Sequence, residues 1–148
     1  MNEPNIKIDG LKLWIHCRQF PDAQDYWDGN WLSATAICEA HNATVKVTGS
    51  VLMNVDIARW MKKCEQLHRN EISEANLEPL EPNLKITIRS VDKRGHLEVV
   101  VEITPEHMTQ RHRFTFGIDQ SYLPRLISEC HAILKEHPIR QPEKFIDA

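Results

Sequence analysis

The stretch Leu84-Lys85-Ile86-Thr87-Ile88-Arg89, the turn Asp92-Lys93-Arg94-Gly95 and the run Leu97, Val99, Val101, Ile103 decide the fold class. Apolar and polar positions alternate with a period of two, so each strand has one apolar and one polar face. A glycine-closed turn between two such runs predicts an antiparallel pair lying on a core, with its other face in water. Beyond a loop opened by Pro105, Phe114, Phe116 and Ile118 continue the pattern as a further strand.

The same signature extends toward the N-terminus. Ile6–Ile8, Asp9-Gly10 and Leu11–Cys17 read as a hairpin. Leu11, Leu13, Ile15 and Cys17 face one way; Lys12, Trp14, His16 and Arg18 face the other. Phe20–Asn30 is a loop containing Pro21 and Gly29. Trp31–Glu39 alternates again through Leu32, Ala34, Ala36 and Cys38, and His41-Asn42 turns the chain into Val45, Val47 and Val51, with Gly49 as a bulge. Asn54 then predicts a helix N-cap, with Asp56 in the first turn. Ile57, Trp60, Met61, Cys64 and Leu67 make a stripe at helical spacing, read as core.

Residues 70–83 read as a connection. A last helix starts near Asp119 or Ser121, with Pro124 in its first turn and Leu123, Leu126, Ile127, Cys130 and Leu134 as its stripe. Pro138 stops it, and a loosely held tail runs from about residue 138 to Ala148. The order is four strands, helix, three strands, helix, without internal repeat. The expected fold is α+β, an antiparallel sheet of about seven strands with two amphipathic helices packed on one face, in a single domain over residues 1–148.

Composition narrows the classes. With 148 residues the chain buries a core of single-domain size. The net charge of −3 counts against a nucleic-acid binder, which more often carries a basic excess. Cys17, Cys38, Cys64 and Cys130 form no C-x-x-C pair and read as buried, reduced thiols. The polar segment Met1–Ile8 has no signal-peptide core, and no run approaches the ~20 apolar residues of a membrane span. A cytoplasmic protein without membrane contact is expected.

Catalytic signatures are absent: there is no Walker A loop, dinucleotide fingerprint, nucleophile elbow or H-E-x-x-H helix. Cys64 and His68 stand four apart on a helix, a spacing that suits zinc, but no second pair completes a site. The loop Asp22–Asn30 carries Asp22, Asp25 and Asp28 without EF-hand spacing. Its side chains serve the loop's own backbone, while Trp27 and Trp31 pack over a sheet edge. A metal-dependent or acid–base enzyme using Asp25, Asp28 or His16 is the weaker alternative. No cofactor, metal ligand or catalytic residue is assigned. Arg111-His112-Arg113 reads as a solvated strand end. Glu71, Glu74, Glu78 and Glu81 form an acidic strip toward which a basic protein would be steered.

Phe20-Pro21 followed by Asp25-Tyr26-Trp27-Asp28-Gly29-Asn30-Trp31-Leu32 resembles the WapI-like immunity proteins, antidotes encoded beside toxins that bacteria release in contact-dependent competition. Glu81-Pro82-Asn83-Leu84, opening an alternating strand, and Asp119-Gln120-Ser121-Tyr122-Leu123, entering the last helix, match in the expected order. The resemblance implies a stoichiometric inhibitor of the C-terminal toxin domain of a large secreted protein, often a nuclease. Phe20, Pro21, Trp31, Leu32, Glu81, Pro82, Asn83 and Leu84 are read first as fold-determining. Asp25, Tyr26, Trp27, Asp28, Glu71, Glu74 and Glu78 are the candidate partner-binding residues. A small binding or regulatory domain with another ligand is the alternative function.

Overall fold

The computed structural model describes residues 2–146. In chain order it contains β1 (Ile6–Ile8), β2 (Leu11–Arg18), the one-turn helix α1 (Tyr26–Gly29), β3 (Trp31–Ala40), β4 (Ala43–Met53), α2 (Asn54–His68), β5 (Glu74–Leu77), β6 (Leu84–Ser90), β7 (His96–Ile103), β8 (Arg113–Asp119) and α3 (Tyr122–Glu136), with a 3-10 turn at Pro142–Lys144. The α+β class with antiparallel strands is observed. Among the described residues the strands form two four-stranded meanders, β1-β2-β3-β4 and β5-β6-β7-β8. They divide there because α2 follows β4 and carries the chain away before β5 can pair with it. Strand β5 lies in the expected connection. With Ala75 and Leu77 as its buried residues, it is too short for alternation to announce it.

Turn chemistry sets the registers. Ala40 pairs with Ala43 across His41 and Asn42, whose φ angles of 45 and 71 are the two successive left-handed residues of a type I′ hairpin. Register slips on β2 between Ile15, opposite Ala34, and Cys17, opposite Ser33, so His16 is an extra residue. The slip turns Cys17 outward, where alternation alone predicts a buried thiol. Cys38, Cys64 and Cys130 are buried as expected.

The two halves interlock. Each is four strands followed by a helix, a topological repeat with no repeat in sequence. Helix α2 leaves the first sheet yet packs on β5; α3 leaves the second yet packs on β1; the two helices pack on each other. Strands β3 and β4 also touch β6 and β7. The result is one continuous core in which Leu11 and Leu13, Ile86 and Val99, Trp60 and Leu126 all share a cluster.

Two terminal expectations change. Helix α2 begins at Asn54 itself, and its start is closed from within by the Asp56 carboxylate, which accepts from the Met53 N–H at 2.8 Å. Asn54 is buried and donates from Nδ2 to the His137 carbonyl at 3.0 Å, a tertiary contact that displaces the capping role. Residues 138–146, expected to hang loosely, have specific partners: Ile139 and Phe145 pack with Tyr26, Met53 and Val55, and Arg59 lies over the Phe145 ring at 5.0 Å. Residues 147–148 of that tail lie outside the described residues.

Gly10 is hemmed in by β3 of its own sheet and by Phe116 of the other half. A Cβ there would stand 2.1 Å from the Glu39 carbonyl oxygen and 2.9 Å from the Phe116 ring. Gly10→Ala is therefore expected to cost about 1–3 kcal/mol through overpacking. Urea unfolding checks this, and an unchanged midpoint would show that the contact yields freely.

Candidate functional site

The loop after β2 is built from short polar side chains that satisfy its own backbone. The Asp25 carboxylate accepts from the Asp28 N–H at 3.0 Å, capping α1, and Gly29 N–H closes the turn on the Asp25 carbonyl. Asn30 is 0% exposed and uses both ends of its amide. Its Nδ2 donates to the carbonyls of Tyr26 (2.8 Å) and Arg140 (3.0 Å), and its Oδ1 accepts from the Arg140 N–H (2.8 Å).

Long-range donors complete the brace. Arg18 donates to the carbonyls of Gly29, at 2.7 Å, and Pro138. The Arg140 guanidinium donates to the Ala23 carbonyl, and the Gln141 side-chain carbonyl accepts from the Tyr26 N–H at 3.1 Å. Burial, and then the Arg140 charge, lower the Arg18 pKa from its ordinary value. Gly29 is required at its position, since a Cβ would stand 2.7 Å from the Ala23 carbonyl oxygen.

On this support the side chains sort sharply. Tyr26 is buried in the small cluster with Met53 and Val55. Trp27 projects with 61% of its surface exposed, its ring edge-on to Tyr26 with centroids 5.2 Å apart. Asp22, Asp25 and Asp28 are exposed in the same loop, which also displays Phe20, at 46%. Trp31 and Trp27, both expected over a sheet edge, part company: Trp31 is half-buried opposite Met53, while Trp27 faces water.

The remaining motif residues are placed as follows. Leu32 and Leu84 are in the core, and Asn83 Nδ2 donates to the Thr104 carbonyl at 2.9 Å, tying the start of β6 to the end of β7. Pro21, Glu81 and Pro82 are exposed. The acidic strip is partly neutralised. Glu71 accepts from Arg69 at 2.9 Å and Glu78 from Lys85 at 3.1 Å, while Glu74 stands opposite Arg89 in register. These pairs raise the Arg69 and Lys85 pKa values, chiefly through the carboxylate hydrogen bonds. A groove of about 590 Å³ between this strip and the β7–β8 loop mixes Glu78 and Glu102 with Lys85, Arg111 and Arg113.

The groups read as chemical candidates do not converge. Cys64 is buried while His68 is exposed, and among the described residues no three of His, Cys, Asp and Glu gather as a metal ion would need. Burial pushes the Cys38 and Cys64 thiols up to about 12 and Cys130 higher than its ordinary value, so they remain protonated. His16 belongs to a hydrogen-bonded ladder on the first sheet, Nε2 to Thr35 Oγ1 at 2.8 Å and Thr35 Oγ1 to Thr48 Oγ1 at 2.8 Å. No helix among the described residues is long and apolar enough to cross a membrane.

Asn30, Arg140 and Gln141, which hold the loop, carry no local signal. The partners are 110 or more residues apart, and only burial of a polar side chain reveals them. Asn30→Ala strands the Arg140 N–H and two carbonyls, so a loss of about 2–3 kcal/mol is expected in denaturant unfolding. A loss under about 0.5 kcal/mol, the surface norm, would mean the brace is not structural.

A family model for the immunity protein WapI-like family matches residues 4–138. No curated protein and no solved structure matches the chain.

Proposed function

This chain belongs to the WapI-like immunity protein family, and we propose that it neutralises a toxin domain by one-to-one binding, with Trp27 as the central anchor and no chemistry of its own. The carrying observation is the combination of a 61% exposed tryptophan with a backbone pinned on every side. A large aromatic ring on a surface is costly in water and valuable in a partner's pocket. The brace means little ordering entropy remains to be lost on binding.

Charge gives the partner its character. Asp22, Asp25 and Asp28 are exposed in the same loop as Trp27, and none is in an ion pair among the described residues. An acidic loop carrying an aromatic anchor complements a basic surface. The toxin in this reading is a nuclease whose substrate face carries lysine and arginine. Tyr26 serves from below as the ring's support. Glu71, Glu74 and Glu78 have the lesser role of long-range steering, since two of them already hold cations.

The test uses the C-terminal domain of the large secreted protein encoded beside this chain, titrated calorimetrically at two salt concentrations. Trp27→Ala is expected to weaken binding by about 2 kcal/mol or more, roughly 30-fold, while unfolding free energy stays within about 0.5 kcal/mol of the parent. Higher salt should weaken the parent complex. Unaltered affinity in Trp27→Ala would move the interface away from this loop. No binding at all would defeat the inhibitor reading for this toxin.

A further inference from the structure

A four-stranded sheet has two outer edges, and this chain treats its edges unequally. On β1 the Lys7 carbonyl accepts from Arg125 Nη2 at 2.7 Å and the Glu129 carboxylate stands near the Lys7 N–H, so α3 side chains occupy that edge. Strand β5 has four residues and lies against α2. Strand β4 is interrupted at Gly49, with φ 126, near exposed Lys46. Short length, bulges and lysines are recognised ways of keeping edges from pairing. Strand β8, Arg113-Phe114-Thr115-Phe116-Gly117-Ile118-Asp119, is regular over its seven residues and contains no lysine or proline.

The free backbone groups of β8 follow from the ladder. Gln120 N–H donates to the Gly95 carbonyl and Ile103 N–H to the His112 carbonyl, and hydrogen-bonded pairs alternate between these limits. Phe114, Phe116 and Ile118 therefore turn their N–H and C=O toward β7. Arg113, Thr115, Gly117 and Asp119 turn theirs outward, where no partner meets them among the described residues.

We propose that β8 pairs antiparallel with the β8 of a second copy of this chain, centred on Phe116, giving a two-fold dimer with one continuous eight-stranded sheet. Centring on Phe116 sets odd-numbered residues opposite odd-numbered ones, which the outward-facing groups require. Arg113 then faces the partner's Asp119, and Thr115 faces the partner's Gly117. The charges match, and two-fold symmetry makes the match twice. Asp119 is exposed and held in place by Ser121, and Arg113 forms no ion pair among the described residues.

The shapes match as well. A Cβ at Gly117 would meet nothing within 4 Å, and a groove of about 530 Å³ lies along this strand, so the partner's Thr115 side chain has room. On the other face half-buried Phe114 comes opposite the partner's Ile118, in the pair type where side chains approach most closely. A register two residues away sets Arg113 against Gly117, or Asp119 against Thr115, and so parts Arg113 from Asp119. The dimer leaves the Trp27 loop open. Phe116 lies against Gly10, just before β2, whereas the loop departs from the far end of that strand after Arg18.

One strand pair buries less than the about 1,600 Å² of a standard interface, so association in the micromolar range is expected. Sedimentation velocity of the full chain from about 1 to 500 μM should show the mass rising from monomer to dimer. Gly117→Lys, whose side chain the monomer can accommodate, should keep its melting temperature and remain monomeric throughout. Arg113→Asp and Asp119→Arg should each dimerise at least tenfold more weakly than the parent, and an equimolar mixture should restore dimer as a heterodimer. A parent that stays monomeric, a Gly117→Lys chain that dimerises like the parent, or a mixture that restores nothing overturns the proposal. If the parent is monomeric and Gly117→Lys loses the toxin domain instead, the edge receives a strand of the toxin, and the second-copy assignment is wrong.

Discussion

The exchange of helices between the two halves is the constraint on which the rest of this structure depends. A four-stranded meander exposes an apolar face too wide for one helix, and each helix here packs chiefly on a strand of the meander it does not follow. Helix α2 crosses to β5 and α3 crosses to β1, and they pack on each other so that Cys130, its thiol already pushed up by burial, has Cys64 close enough to oppose its ionisation further. Each half thus completes the other's core. Apolar burial at roughly 25 cal/mol per Å² favours this arrangement only when both halves are present.

The Trp27 loop inherits its order from the same design. Crossing back over the first sheet, α3 ends beside the start of α2, where Asn54 takes the His137 carbonyl. From there the chain runs along the start of α2 and the loop after β2. Arg140 and Gln141 arrive as donor and acceptor to Ala23, Asn30 and Tyr26 because α3 ends where it does. The loop's rigidity is therefore a consequence of helix exchange as much as of its own Asp and Asn residues. Residues 139–145 supply it from outside the matched span 4–138.

Much of the fold is legible in the sequence, because alternation and helical stripes report which side of each element is dry. The Leu84–Arg89 and Leu97–Ile103 strands and the Ile57–Leu67 stripe are cases where one periodicity speaks over six or more residues. The failures have local causes. Four residues of β5 are too few to show a period, and one extra residue at His16 inverts the faces beyond it. The division into two sheets is invisible because pairing partners are set by where α2 delivers the chain. At the site, the Asp25–Leu32 block stands out by composition, yet the outward turn of Trp27 follows from a single helical turn. The bracing of Asn30 depends on residues 110 positions away.

That block also shows why a sequence motif and a contact surface need not coincide. Within Tyr26-Trp27-Asp28-Gly29-Asn30-Trp31, Tyr26, Gly29 and Asn30 are buried and Trp31 half-buried, whereas Trp27 and Asp28 face water. The first four residues are bound to their identities by packing, by a 2.7 Å approach to the Ala23 carbonyl oxygen that admits only glycine, and by an amide whose both ends are used. Substituting any of them here removes packing or a hydrogen bond or, at Gly29, adds a clash. Trp27 and Asp28 stabilise nothing comparable: the ring has one edge contact and the carboxylate faces solvent. For the proposed inhibitor such positions are useful, being fixed in space by their neighbours and chemically free themselves. Placing both kinds in one turn lets recognition vary without disturbing the fold that presents it.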